Sequence, residues 1–372
     1  MSESFHFQFG SCKSSVTFWE KIPGSTELSD LFNLDETKQA LVVCDENTAP
    51  FAREIFCDHA ETVRILPLPA GEGHKTWASA EAIIRAAKEN NQGHCMDRGG
   101  LFIGVGGGAI CDCTAFAASM YMRGAQLALI PTTLLCMADA AVGGKTGINL
   151  AGVKNLAGTF YPAGNIIIAA GLLATLPHRE WKSGMAEIIK TAIVDEDPAF
   201  FSELRQLPAT DQPALPEKIL PFIKKAILVK GRIVENDPFE TSENGRAQLN
   251  LGHTFGHALE SAAGQTEHMP NPISHGEAVA WGIARSCELG LELGITPPDR
   301  TQAITDILDA WGFKTSNVFY KDSETAKQFR EALFFDKKKK AGKLRFVVPA
   351  ESGVVVVEED PRVTKYIEKI TH

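Results

Sequence analysis

Between about residues 39 and 170, short apolar, β-branched runs alternate with stretches of helical spacing, and this rhythm constrains the fold more than any other feature. QALVVCDENTAP reads as a strand with Asp45 and Glu46 just past its end. ETVRILPLPAGEGHKT is a second strand running into a glycine-containing loop. RGGLFIGVGGGAI is a strand followed by glycines, CDCTAFAASMYM carries helical periodicity, and AQLALIPTT is a further strand broken at Pro131. Strands separated by helices pair in parallel and are covered on both faces. After about residue 178 the character changes. WKSGMAEIIKTAIV, PEKILPFIKKAILVKGRIV, GHTFGHALESAAG and HGEAVAWGIARSCELGLELG have helical spacing and few strand signals. LPATDQPALP has the prolines of a connector, and GKLRFVVPAESGVVVVEED reads as a short hairpin near the end.

The expected architecture is an α/β N-terminal domain (1–177) with a parallel, Rossmann-like sheet, joined to a mainly α-helical C-terminal domain (178–372). A chain of 372 residues exceeds what one core organises, which agrees with two domains. Parallel sheets bind ligands outside the carboxyl ends of their strands, so the cleft between the domains is the expected site. The net charge of -9 argues against a nucleic-acid partner held by phosphate neutralisation. No run of apolar residues is long enough for a membrane span, and MSESFHFQFGS lacks the pattern of a signal peptide, so cytoplasmic residence is expected. The eight cysteines are scattered without a CxxC pair and read as free buried thiols.

Gly104, Gly106, Gly107 and Gly108 follow a strand and open a helix, where backbone N–H groups can meet a pyrophosphate. With Ala109 the string satisfies the dinucleotide fingerprint, which also asks for an acidic residue about twenty positions on. AQLALIPTT ends without one, while Asp45 and Glu46 end an earlier strand. Either the loop is structural, or a cofactor's ribose is held from the upstream strand in a non-Rossmann arrangement.

LNLGHTFGHALE places His253 and His257 four apart on one helical face, SHGEAVAWGIA opens a helical stretch with His275, and GMAEIIK supplies Glu187. Nitrogen and oxygen donors from three segments suit a catalytic divalent ion with an open coordination position. The plainer alternative is that the histidines cap helices or fill core positions. The pair is not the protease motif HExxH, because Thr254 stands where the general base is needed.

The motifs GVGGGAICD, YMRG, IPTTLLCMADAAVGGKTGIN, VKNLAGTFYP, TLPHREW, GMAEIIK, GRAQLNLGHTFGHALE and HGEAVA stand in an order and spacing that resemble the 3-dehydroquinate synthase family, over about residues 40 to 345. The resemblance implies the dehydroquinate synthase-like fold, NAD as cofactor, and zinc or cobalt held by Glu187, His253 and His275. By the same resemblance, His257 is an outer contact or a substrate-phosphate contact rather than a ligand. Asp45, Glu72, Lys75, Gly106, Gly107, Gly108, Asp112, Thr132, Thr133 and Thr175 would line the NAD site, with Lys145 and Lys154 where cofactor and substrate meet. Arg123, Asn155, Lys154 and one lysine of the DKKKK run, Lys337 or Lys338, would grip the phosphate. Asp139, Lys190, Lys230, Arg246 and Asn250 would bind the substrate's hydroxyls and carboxylate. A dense set of cationic and amide donors is what a substrate with carboxylate and phosphate needs.

The implied enzyme is a carbon–oxygen lyase of the shikimate pathway, in aromatic amino acid biosynthesis. It takes the sugar phosphate 3-deoxy-D-arabino-heptulosonate 7-phosphate to 3-dehydroquinate and phosphate. NAD oxidises an alcohol, phosphate is eliminated, the ketone is reduced again, and ring opening with aldol closure gives the carbocycle. Homodimers are the family's expectation. Cys111 and Cys113 around Asp112, Ala140 and Ala141 after Asp139, and a longer approach to His275 depart from the family pattern. They leave open a valiolone-, gadusol- or inosose-type sugar-phosphate cyclase. A metal-dependent polyol dehydrogenase is the other alternative, opposed by Glu187 and the His253/His257 pair.

Overall fold

The computed structural model describes residues 3–34, 39–59, 61–89, 95–208, 216–242, 245–263, 273–316, 323–339, 344–358 and 360–371. In chain order the elements begin with β1 (Glu3–Phe9), β2 (Cys12–Trp19), α1 (Ser25–Phe32), β3 (Ala40–Asp45), α2 (Ala49–Ile55), β4 (Val63–Leu68), α3 (Trp77–Lys88) and β5 (Leu101–Gly106). There follow α4 (Gly108–Met120), β6 (Gln126–Pro131), β7 (Lys145–Leu150), β8 (Val153–Phe160) and β9 (Asn165–Ala169). Next come α5 (His178–Val194), α6 (Pro198–Leu204), α7 (Pro216–Asn236), α8 (His253–Ala263), α9 (His275–Leu293) and α10 (Pro298–Ala310). The chain ends with α11 (Ser323–Lys339), β10 (Arg345–Pro349), β11 (Val354–Glu358) and α12 (Pro361–Thr371). They group into two units: Met1–Pro177 with Pro213–Phe239, and His178–Gln212 with Glu240–His372.

In the first unit a seven-stranded sheet has the order β1-β2-β9-β6-β5-β3-β4. All its pairs are parallel except β1 with β2. The four strands read from the sequence are β3, β4, β5 and β6. Leu41, Val42 and Val43 of β3 and Phe102 and Ile103 of β5 are all buried. A strand covered on both faces reads as a continuous apolar run for this reason, and each such side chain contributes about 1.5–3 kcal/mol on burial. The hairpin of β1 and β2 was not anticipated. The alternation in ESFHFQF is its period-two signal, and it turns at Gly10 with φ 62°. A second unanticipated hairpin, β7 with β8, stands as a separate two-stranded sheet with an irregularity between Ile148 and Leu150.

Helix α7, read from sequence as part of the second domain, packs with the first unit. A Cβ on its Gly231 would lie 2.1 Å from the Phe7 ring of β1, so the glycine is what lets the helix close on that strand. Most of the connector LPATDQPALP, residues 209–215, lies outside the described residues. The second unit is mainly helical, with the expected terminal hairpin in β10 and β11. Its apolar core gathers Phe255, Trp281, Phe329, Phe346 and Tyr366.

Candidate active site

Three helices of the second unit meet with almost no space between their backbones. A Cβ on Gly276 of α9 would fall 2.3 Å from the Ser183 Cα of α5, and one on Gly282 would fall 2.0 Å from the Gly252 carbonyl oxygen before α8. A Cβ on Gly256 of α8 would be 2.9 Å from the Ala278 carbonyl oxygen of α9. Ser183 also accepts a bond from the Gly276 N–H at 2.9 Å. At its start α9 is fixed by a capping box between Ser274 and Glu277. These contacts hold Glu187 of α5, His253 of α8 and His275 of α9 in one place.

Glu187 is fully buried. Its Oε1 lies 3.6 Å from His253 Nε2 and 3.3 Å from His275 Nε2. One ligand atom from each residue lies within 4.8 Å of the others. Two metal bonds of ~2.1 Å at a tetrahedral angle set their ligand atoms ~3.4 Å apart, so the donor set fits a small divalent ion. Nδ1 of His253 lies 3.1 Å from the Leu251 carbonyl and donates to it in the tautomer that leaves Nε2 as an acceptor. Burial, together with the Lys190 ammonium, pushes the His253 pKa down to about 3, which keeps that ring neutral. Burial also pulls His275 down, but the Glu187 and Glu260 carboxylates on either side of its ring prevail and raise it to about 10. Lys190, one turn after Glu187 and equally buried, forms an ion pair with it. His257 is exposed, its ring 5.1 Å from that of His253 and 5.9 Å from that of His275. Arg246 is buried on the 3-10 turn Arg246–Asn250, and Asn250 donates to Glu240 at 3.4 Å. Lys337 and Lys338 fall on the last turn of α11, and their side chains lie outside the described residues.

The first unit assembles a different group at the carboxyl ends of its strands. Gly107 caps α4 in extended conformation. A Cβ on Gly106 would meet Ile110 at 2.7 Å and one on Gly107 would meet Thr133 at 3.0 Å, so packing requires both. A Cβ on Gly108 would find its nearest neighbour, Ala140, at 3.8 Å. Among the described residues nothing demands a glycine there, while a phosphate approaching the helix N-terminus would favour one. β3 pairs directly with β5, with Cys44 opposite Val105, so Asp45 stands at the strand end beside the glycine loop. Oδ1 of Asp45 accepts the N–H groups of Asn47 and Thr48 at 3.0 and 2.9 Å, which fixes the carboxylate in place. The acid therefore comes from the neighbouring strand upstream, and these residues fit a dinucleotide held from that side.

Lys75 is buried and links three segments. Its Nζ lies 2.5 Å from Asp112 on α4 and donates at 2.5 Å to Asn155 on β8. Burial pushes the Asp112 carboxyl up against the pull of Lys75. Asn149 of β7 donates to Glu72 at 2.9 Å and accepts the Asn155 N–H at 2.9 Å. The hairpin is thereby tied to the loop after β4, and Asn155 is held at φ 53°. Lys145 and Lys154 are exposed on the same hairpin. Lys230 of α7 donates to the Asp139 carboxylate at 2.8 Å and to the Asp139 carbonyl at 2.6 Å. Thr132 and Thr133 follow β6, and the Thr132 N–H bonds the Gly106 carbonyl at 2.9 Å. Arg123 is exposed with φ 68°, and Thr175 is exposed at the end of a 3-10 turn.

Two residues of these clusters escaped the sequence reading. Asn149 lies inside the quoted GKTGIN motif but gave no periodic signal. Glu260, seven positions after His253 and three after His257, shares their helical face, and that spacing could have found it.

A family model described as 3-dehydroquinate synthase N-terminal matches residues 65–183. One described as 3-dehydroquinate synthase C-terminal matches residues 184–339. The 3-dehydroquinate synthase of Nostoc punctiforme is 38% identical over 295 residues, 79% of this chain and 77% of that protein. A crystal structure of 2-deoxy-scyllo-inosose synthase complexed with carbaglucose-6-phosphate, NAD+ and Co2+ is similar with TM-score 0.81 at 22% identity, covering 99% of both chains. The 2-epi-5-epi-valiolone synthase ValA of Streptomyces hygroscopicus, with NAD+ and Zn2+ bound, gives TM-score 0.80 at 24% identity, over 96% of this chain and 95% of that one. At these identities the two structures speak for the fold alone.

Proposed function

The chain belongs to the 3-dehydroquinate synthase family, and from that premise we propose that it converts 3-deoxy-D-arabino-heptulosonate 7-phosphate to 3-dehydroquinate and phosphate. The observation that carries the chemical reading is the buried Glu187 facing His253 at 3.6 Å and His275 at 3.3 Å. These three would hold a divalent ion, and two cyclases of the same fold carry Co2+ or Zn2+ together with NAD+. Bound there, the ion acts as a Lewis acid on a substrate hydroxyl, and NAD serves as a hydride acceptor that is regenerated within each turnover.

The chain's own residues would do the rest. Gly108 and the N-terminus of α4 receive the pyrophosphate, and Asp45 binds the ribose from the neighbouring strand. Lys75 holds Asn155 and Asp112 at fixed distances, so that Asn155, Lys154 and Arg123 grip the substrate phosphate. Arg246 and Asn250 take the carboxylate and hydroxyls, and His257 contacts the phosphate side. Lys190 stabilises negative charge beside Glu187. Lys230 fixes Asp139 through two hydrogen bonds, and the carboxylate then accepts from a substrate hydroxyl. Lys145 lies where cofactor and substrate meet. Holding several reacting atoms in register is worth up to about 7–11 kcal/mol of barrier. Cytoplasmic residence and a homodimer belong to the proposal on family resemblance. No helix among the described residues is long and apolar enough to cross a membrane.

The test is release of inorganic phosphate from the heptulosonate phosphate with NAD, before and after a chelator and after restoring Zn2+ or Co2+. Release that stops with chelator and returns with metal is the expected result. Silence on this substrate, with release from a heptulose 7-phosphate or hexose 6-phosphate, would assign a sister cyclase instead.

A further inference from the structure

The two histidines beside Glu187 are oriented by different groups. His253 turns its Nδ1 to the Leu251 carbonyl, a neutral backbone acceptor at 3.1 Å. His275 turns its Nδ1 to Oε2 of Glu260, a carboxylate at 3.6 Å, while its Nε2 faces Glu187. Glu260 stands two turns after His253 on the same face of α8, so one helix carries both a ligand and the carboxylate that addresses the other histidine. The close approach of α8 to α9 at Gly256 and Ala278 holds that distance. We propose that Glu260 is a positioning residue for the metal centre: its carboxylate accepts a hydrogen bond from the His275 Nδ1–H, fixes the tautomer with Nε2 as donor atom to the ion, and strengthens that nitrogen as a ligand. A histidine ligand whose other nitrogen is held by a carboxylate is oriented and strengthened in this way.

The inference rests on Glu187, His253 and His275 being the ligands. His257, Glu260 and His275 also form a second triad whose donor atoms lie within 4.8 Å of one another, which gives Glu260 a rival role as a ligand. The two roles separate by experiment. Purified Glu260→Ala and Glu260→Gln are stripped of metal and titrated with Co2+, reading the cobalt absorption spectrum and the affinity by chelator competition, beside wild type and His253→Ala. The expected result is one equivalent of Co2+ in wild type, affinity lowered about 10–100-fold in Glu260→Ala with an altered spectrum, and partial rescue in Glu260→Gln, whose amide oxygen still accepts a hydrogen bond. Unchanged affinity and spectrum in Glu260→Ala, with binding lost in His253→Ala, overturn the positioning role alone. A second equivalent of Co2+ in wild type that both Glu260 variants lose overturns it too, since Glu260 would then be a ligand. Wild-type affinity in His253→Ala removes the ligand set itself.

Discussion

At the scale of single residues, chemistry follows from what each side chain faces. Glu187 is buried among Lys190, His253 and His275, and in the proposed site removing His253 takes away one neutral nitrogen donor while the Lys190 ion pair stays. His253→Ala is expected to lose bound metal and at least about 100-fold in turnover with its helical content intact, checked by metal analysis and phosphate release. Lys75→Ala leaves the half-buried Asp112 without its cation and should lower unfolding stability by about 1–3 kcal/mol. Denaturant unfolding of that variant measures the loss, and Asp112→Asn added to it should recover part. The cysteines divide by burial. Desolvation pushes Cys113 and Cys287 up to about 12 and Cys44 up to about 11. A thiol reagent at mild pH should therefore modify exposed Cys12, Cys57 and Cys95 quickly and the five buried ones only on unfolding. All eight were read as buried, because composition gives no sign that Cys12 opens a strand just after a turn, that Cys57 starts a 3-10 turn and that Cys95 lies between elements.

At the scale of elements, the glycines distinguish packing from ligand approach. Gly276→Ala drives a methyl into Ser183 and should lower stability and metal affinity together, since it moves α9 and His275. Gly108→Ala meets nothing closer than 3.8 Å and should leave stability unchanged while NAD affinity, read by fluorescence titration, falls. Which elements could be read from sequence follows the strength of their periodic signal. β3, β5 and α9 carry long apolar runs or sustained helical spacing. The β1–β2 hairpin alternated clearly but stood outside the strand–helix rhythm, while β8 is exposed along most of its length and β7 is a six-residue strand buried only at its centre, so neither left an alternating pattern to read. α7 was recognised as a helix but grouped with its neighbours, because a helix's own sequence does not name its partner. Gly231 against Phe7 is a tertiary fact.

At the scale of the whole molecule, the candidate metal ligands arise from one unit and the glycine loop from the other, and each set fits its group by its own geometry. The expected ligand set was set apart from His257 in the sequence only through family resemblance, since spacing alone favours the four-apart pair. The neighbouring-strand position of Asp45 needed the sheet order, which the sequence left open between two readings. In the proposed reaction oxidation and reduction cancel. The measurement that tests this most directly counts phosphate released per NAD while nicotinamide absorbance is followed, with metal-loaded enzyme and the heptulosonate phosphate. Many phosphates per NAD with no accumulation of NADH is the predicted result. One NADH appearing for each substrate consumed would contradict the account and make the protein a dehydrogenase.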